Sequence, residues 1–98
     1  MFASVSTATV QSGKLGEFIS TWRESVLPLV KSFPGFKNAY VLTDTDSNKG
    51  IVIAIYEKKK DAERTQSSGD YQKAVELVAA TIIVDSVVRE GFEVSIQG

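Results

Sequence analysis

The sequence predicts an α+β domain of the ferredoxin-like, split βαβ kind, with a four-stranded antiparallel sheet carrying two helices on one face. Three observations predict it. Four short stretches are rich in β-branched and apolar residues or alternate with a period of two, two stretches have helical periodicity or helix-start signals, and the order along the chain is strand, helix, strand, strand, helix, strand.

Phe2 to Val10 is rich in β-branched and small residues and contains no Pro or Gly, so it reads as the first strand, ending at the polar break Gln11-Ser12-Gly13. From Lys14 the period changes, and Leu15, Phe18, Ile19, Trp22, Val26, Leu29, Val30 and Phe33 form one apolar stripe. This is a helix with Ser12 as its expected cap and Pro34-Gly35 as its stop. Pro28 lies inside the stripe and lacks a backbone donor, so a bend is expected there.

Phe36 to Thr43 and Ile51 to Glu57 are the second and third strands, joined by the polar turn segment Asp44 to Gly50. In the third, Ile51, Ile53 and Ile55 occupy one face and Val52, Ala54 and Tyr56 the other, so both faces need cover. Lys58-Lys59-Lys60 then opens a polar stretch in which Asp61 and Glu63 suit the positive end of a second helix. Ser67-Ser68-Gly69 interrupts it, which predicts two pieces with a break at Gly69. Asp70 is expected to cap the second piece, with Ala74, Val75, Leu77, Val78, Ala79 and Ala80 as its packing face. From Ser86 the alternation returns, Val88, Phe92, Val94 and Ile96 against Arg89, Glu93 and Ser95, and gives the last strand.

In this topology the first and third strands are central and both helices cover the same sheet face. Ile51, Ile53 and Ile55 are then left on the open face, where exposing three such side chains forgoes roughly 4 to 9 kcal/mol of burial. A second copy of the chain is the expected cover, making the protein a homodimer through that face.

Composition narrows the function. With 98 residues, 43% hydrophobic and 23% charged, one domain spanning residues 1–98 is expected to fold around a single core. Eleven basic and twelve acidic residues leave a net charge of -1, with an isoelectric point near 5.4, so no general field draws the protein to nucleic acid or anionic lipid. The absence of cysteine and histidine removes thiol nucleophiles, disulfides, zinc sites of the His/Cys kind and a His-ligated haem; no metal or other cofactor is expected. The N-terminus has no basic segment ahead of an apolar run, and no run approaches the roughly 20 apolar residues that span a bilayer. No membrane association is expected, and a cytoplasmic location is the default.

An RNA-recognition module shares this topology, and Lys49 to Tyr56 falls where such a module carries its aromatic motif. The positions that stack on bases are Ile51 and Ile53 here, and an aliphatic side chain has no π face to offer.

Several features resemble instead the antibiotic biosynthesis monooxygenase family of dimeric α+β barrel proteins. They are the Gly13-Lys14 start of the first helix, the Phe33-Pro34-Gly35-Phe36 link, Tyr56-Glu57 closing the third strand, and the small polar break from Gln66 to Tyr71. The resemblance implies two sheets facing each other across a dimer and a pocket between sheet and helices in each subunit. Some members oxidise phenolic polycyclic substrates there with dioxygen and neither metal nor flavin; others degrade haem. The haem-degrading branch uses a histidine on the second helix, and Thr65 to Ala74 holds none. The family's functional tryptophan at the end of the third strand is Tyr56 here, and its frequent asparagine on the first strand is absent.

The expected function is therefore a cofactor-independent monooxygenase for a small aromatic or phenolic substrate, with a non-catalytic binding or assembly module of the same fold as the alternative. Trp22, on the stripe facing the sheet, and Tyr56, on the helix-facing side of its strand, are the candidate catalytic residues, as polar handles in an apolar wall. Tyr71 after the helix break, Tyr40 on the second strand and Arg89 on the last are the candidate substrate-binding residues. Each has a plainer reading: core packing for Trp22, a water-facing strand end for Tyr56, interface packing for Tyr71 and Tyr40, and an ion pair with Glu93 for Arg89.

Overall fold

Four short segments that are β-branched and apolar or that alternate form four strands: β1 (Phe2–Thr9), β2 (Phe36–Asp44), β3 (Lys49–Tyr56) and β4 (Val88–Glu93). The computed structural model describes residues 1–98. All pairings are antiparallel and the sheet order is β2-β3-β1-β4, so β1 and β3 are central. The segment between β2 and β3 closes as a turn in which the Asp44 carboxylate accepts from the Asp46 N–H at 3.0 Å and the Ser47 hydroxyl at 3.0 Å. Asn48 takes a positive φ of 56° there, a conformation asparagine tolerates better than most residues.

One sheet face carries all the helices. Val52 and Tyr56 of β3 are buried beneath them with Phe18, Val26 and Val30 of the first helical segment and Ala62, Ala74 and Val78 of the second. Gly50 sits under Phe18, and a Cβ there would lie 2.7 Å from the ring, so the phenylalanine reaches the sheet only because this position has no side chain. On the other face Ile53 lies between Val5 and Tyr40, and Ile51 between Thr7 and Leu42. These neighbours leave the isoleucines half-buried, while Tyr40, Leu42, Val88 and Phe92 around them are about half exposed.

The first helical segment is irregular just ahead of Pro28, where a bend is expected. It runs as α1 (Leu15–Thr21), a π-helical turn over Trp22–Val26, and α2 (Leu27–Val30), with Pro28 in the first turn of α2. In the π turn the Leu27 N–H donates to the Trp22 carbonyl, five residues back. Pro28 has no N–H to offer the Glu24 carbonyl, which breaks the regular ladder here, and the apolar spacing fits one wide turn. Phe18, Trp22, Val26 and Val30 recur every four residues, and in a regular α-helix that pattern would drift by about 120° over its length. One wide turn absorbs a residue and reduces the drift to about 20°, holding all four side chains over the sheet. Ser12 does not cap the segment: a turn from Gln11 to Lys14 moves the helix start past it, and Lys14 takes the cap position with no side-chain hydrogen bond.

The second helical segment comes in two pieces as expected, α3 (Lys59–Ser67) and α4 (Gly69–Ala79). The break falls at the extended Ser68 rather than Gly69, and Asp70 lies inside the first turn of α4 rather than capping it. Asp61 tethers the start of α3 by accepting from the Lys58 N–H at 3.2 Å. Leu77 is exposed, because Ala74 and Val78 already define the inward side of α4. Ile96 lies beyond the end of β4, almost fully exposed.

Candidate functional site

Alternation along the central strands sets the floor of a site. Ser4 and Ser6 of β1 and Val52, Ala54 and Tyr56 of β3 point toward the helices, and Trp22 from the π turn closes over them. Between them lies a cavity of about 20 Å³, walled on its open side by Gln66 and Tyr71. It shares Ser6, Trp22, Val52 and Tyr71 with a second cavity of about 60 Å³ that runs under Phe18 toward Arg89. The smaller space suits a single water molecule. Bound small molecules ordinarily occupy roughly 300 to 1,000 Å³, so an aromatic ligand requires the walls to move. Outside Gln66 and Ser4 the surface opens into a cleft of about 300 Å³ between α3 and β4.

The aromatic residues of this wall carry three hydrogen-bond donors, one indole N–H and two phenols. The Trp22 indole N–H is buried and has no hydrogen-bond partner, which costs roughly 1 to 3 kcal/mol. Tyr56 is 3% exposed, and the Phe36 ring stands edge-on to it at 6.1 Å and 83°. Burial pushes the Tyr56 phenol up, the nearby Thr65 hydroxyl opposes the shift and the neighbouring Tyr71 adds to it. Burial also pushes the Tyr71 phenol up, opposed by the positive charge of Arg89. Both phenols therefore stay protonated through neutral pH and donate rather than accept protons.

The fold thus brings Trp22, Tyr56 and Tyr71 around one space, with Arg89 beside Tyr71. Tyr56 is not a water-facing strand end. Arg89 is not paired with Glu93: four residues along a strand separate the two by about 13 Å, and the ion pair found in the molecule is Lys37 with Glu57 at 3.8 Å. Tyr40 is on the opposite face of the sheet, across from Ile53, and does not reach the cavity. Ser4, Ser6 and Gln66 are wall residues that the sequence did not single out. The two serines are detectable as the polar members of the helix-facing register of β1; Gln66, in a polar helix, carries no such signal. No cluster of three or more Asp or Glu side chains is placed to hold a metal ion, and no helix is long and apolar enough to cross a membrane.

A four-stranded antiparallel sheet with its helices on one face and a small space beneath them defines the class as a ferredoxin-like α+β protein. This chain belongs to the antibiotic biosynthesis monooxygenase family, whose model matches residues 1–77. No curated protein matches it by sequence. Among solved structures it is similar to SnoaB from Streptomyces nogalater, a cofactor-independent oxygenase, with a TM-score of 0.83 and 18% identity over 98% of this chain and 94% of that one. It is similar also to a conserved protein from Methanosarcina mazei, with a TM-score of 0.80 and 11% identity over 93% of this chain and 89% of the other. A third is Rv0793 from Mycobacterium tuberculosis, with a TM-score of 0.78 and 9% identity over 98% and 96%. At these identities the likeness shows the fold.

Proposed function

We propose that the protein is a cofactor-independent monooxygenase for a small phenolic substrate bound between sheet and helices, and that it works as a homodimer closed over Ile51, Ile53 and Ile55. The observation that carries the reading is the buried, unpartnered Trp22 N–H in a wall shared with the Tyr56 and Tyr71 phenols. The indole and two phenol donors, with no carboxylate or imidazole base among the wall residues, suit an anion formed by the substrate itself. They lower the pKa of a bound phenol or enol by hydrogen-bonding its ionised form, as an oxyanion hole does.

The substrate anion then gives one electron to dioxygen, and the radical pair combines to a peroxide. For an anthrone-like substrate the ring methylene becomes a carbonyl. One oxygen atom stays in the product and the other leaves as water with the two methylene hydrogens, so dioxygen takes up the four electrons the carbon loses. The chain's own residues supply binding, exclusion of bulk water and hydrogen bonds to the anion.

The size of the two inner cavities, about 20 Å³ and 60 Å³, favours a second reading, a dimeric ligand-binding or assembly module without catalysis. Oxygen consumption with hydroquinones and anthrone-like phenols separates the two. The oxygenase consumes dioxygen above the uncatalysed rate, and Trp22→Phe and Tyr56→Phe each lower that rate, by about a hundredfold if the lost donor acts as in other oxyanion holes. Binding without consumption across the panel leaves the module.

A further inference from the structure

Gln66 stands where three spaces meet: the inner cavity, the 300 Å³ cleft between α3 and β4, and a surface groove of about 310 Å³ beside Tyr71. Its Nε2 donates to Ser4 Oγ at 3.0 Å, joining the last turn of α3 to the central strand β1. Both residues line the inner cavity on one side and the cleft on the other. The bond is therefore the partition between a space too small for a ring and a space large enough for one. It sits two residues before Ser68, where the backbone leaves helical geometry between α3 and α4. The hinge for moving Gln66 is thus adjacent to it.

From this geometry we infer that the Gln66–Ser4 hydrogen bond is a partition the ligand displaces, and that the inner cavity and outer cleft are two halves of one binding site. The inference rests on the ligand-binding part of the proposed function and holds for either the catalytic or the non-catalytic reading. When the bond opens, the ring of the ligand lies against Trp22, Tyr56 and Tyr71, and the Gln66 amide is freed to pair with a polar group on the ligand. The remainder of the ligand extends into the cleft. Lys59, Glu63 and Arg89 bring charges of both signs to the cleft, while Glu90 projects to the opposite sheet face with Val88 and Phe92, and an uncharged amide offers the Gln66 amide both a donor and an acceptor, which an anion does not. The ligand class is a hydroxylated aromatic with an uncharged polar extension such as an amide.

The test is calorimetric titration under argon with 2-naphthol, which has the ring and hydroxyl alone, and 6-hydroxy-2-naphthamide, which adds the extension. Wild type binds the amide at least about tenfold more tightly, the scale of one additional well-placed polar contact. Gln66→Leu, which keeps bulk and removes the amide, reduces that preference to under about threefold. Ser4→Ala removes the bond that must be broken while keeping the Gln66 amide, and tightens both ligands by roughly fivefold, the worth of one ordinary hydrogen bond. A merely structural Gln66–Ser4 bond would instead weaken both ligands in both variants, and that result overturns the inference. An unchanged amide preference in Gln66→Leu, or a complex with the ligand seated and the bond intact, also overturns it. The titrations contain no dioxygen, so a failure to consume oxygen in the catalytic assay leaves their outcome untouched.

Discussion

At the scale of single residues, the tyrosines and glycines make separate predictions. Tyr56 and Tyr71 have folded pKa values raised above the unfolded value of about 10. Their contribution to stability is fully present below that value and is lost as pH rises through the folded values. Urea midpoints should hold level from pH 7 to 9 and fall above about pH 10, and Tyr56→Phe should soften the fall. A decline beginning near neutrality would contradict the assignment. Gly50→Ala should destabilise by about 1 to 3 kcal/mol, because Phe18 must leave its place against the sheet; thermal melting checks it, and an unchanged melting temperature would show that the ring has room to move. Residue faces were legible where a periodic pattern carries them. Trp22 and Tyr56 reach the site because the helix stripe and the strand alternation each fix a direction. Gln66 was hidden because a polar residue in a polar helix is placed by tertiary packing alone, and Arg89 was paired with Glu93 on a shared face without regard to the distance along the strand.

At the scale of elements, the first three strands followed from β-branched and apolar runs between polar breaks and the last from alternation. The helix starts followed less well. A turn competes with a cap wherever small polar residues cluster, and at Gln11 to Lys14 the turn prevails. The π turn is the clearest case of a feature whose cause was present in the sequence, in the four-residue spacing of Phe18, Trp22, Val26 and Val30, but whose form needed the sheet as a reference. Because that turn holds one residue more than an α-helix of equal rotation, deleting Ser25 should convert it to α-helix with both flanks still facing the sheet. Circular dichroism should show helix on both sides of Pro28, and urea a single cooperative transition at a lowered midpoint, because Pro28 then lies inside a continuous α-helix. Loss of the cooperative transition would mean that the wide turn is required for the fold rather than accommodated by it.

At the scale of the whole molecule, the open sheet face and the site beneath the helices are the two surfaces that call for a partner. The half-buried isoleucines and the half-exposed Tyr40, Leu42, Val88 and Phe92 form one apolar face, and natural monomers seldom leave such a face open. Sedimentation at micromolar concentration should give a dimer, and Ile53→Asp should dissociate or unfold it, since a charge without a partner would be buried in the interface. A well-folded Ile53→Asp dimer would place the interface elsewhere. In the proposed reaction the space under the helices stabilises the ionised substrate, and that anion reduces dioxygen without a metal or flavin. The direct measurement is mass spectrometry of the product formed from an anthrone-like substrate under isotopically labelled dioxygen, using metal-stripped protein. The account predicts one labelled oxygen atom per product molecule, formed faster than without protein and slowed in Trp22→Phe; labelled product appearing no faster than in the protein-free control would contradict it.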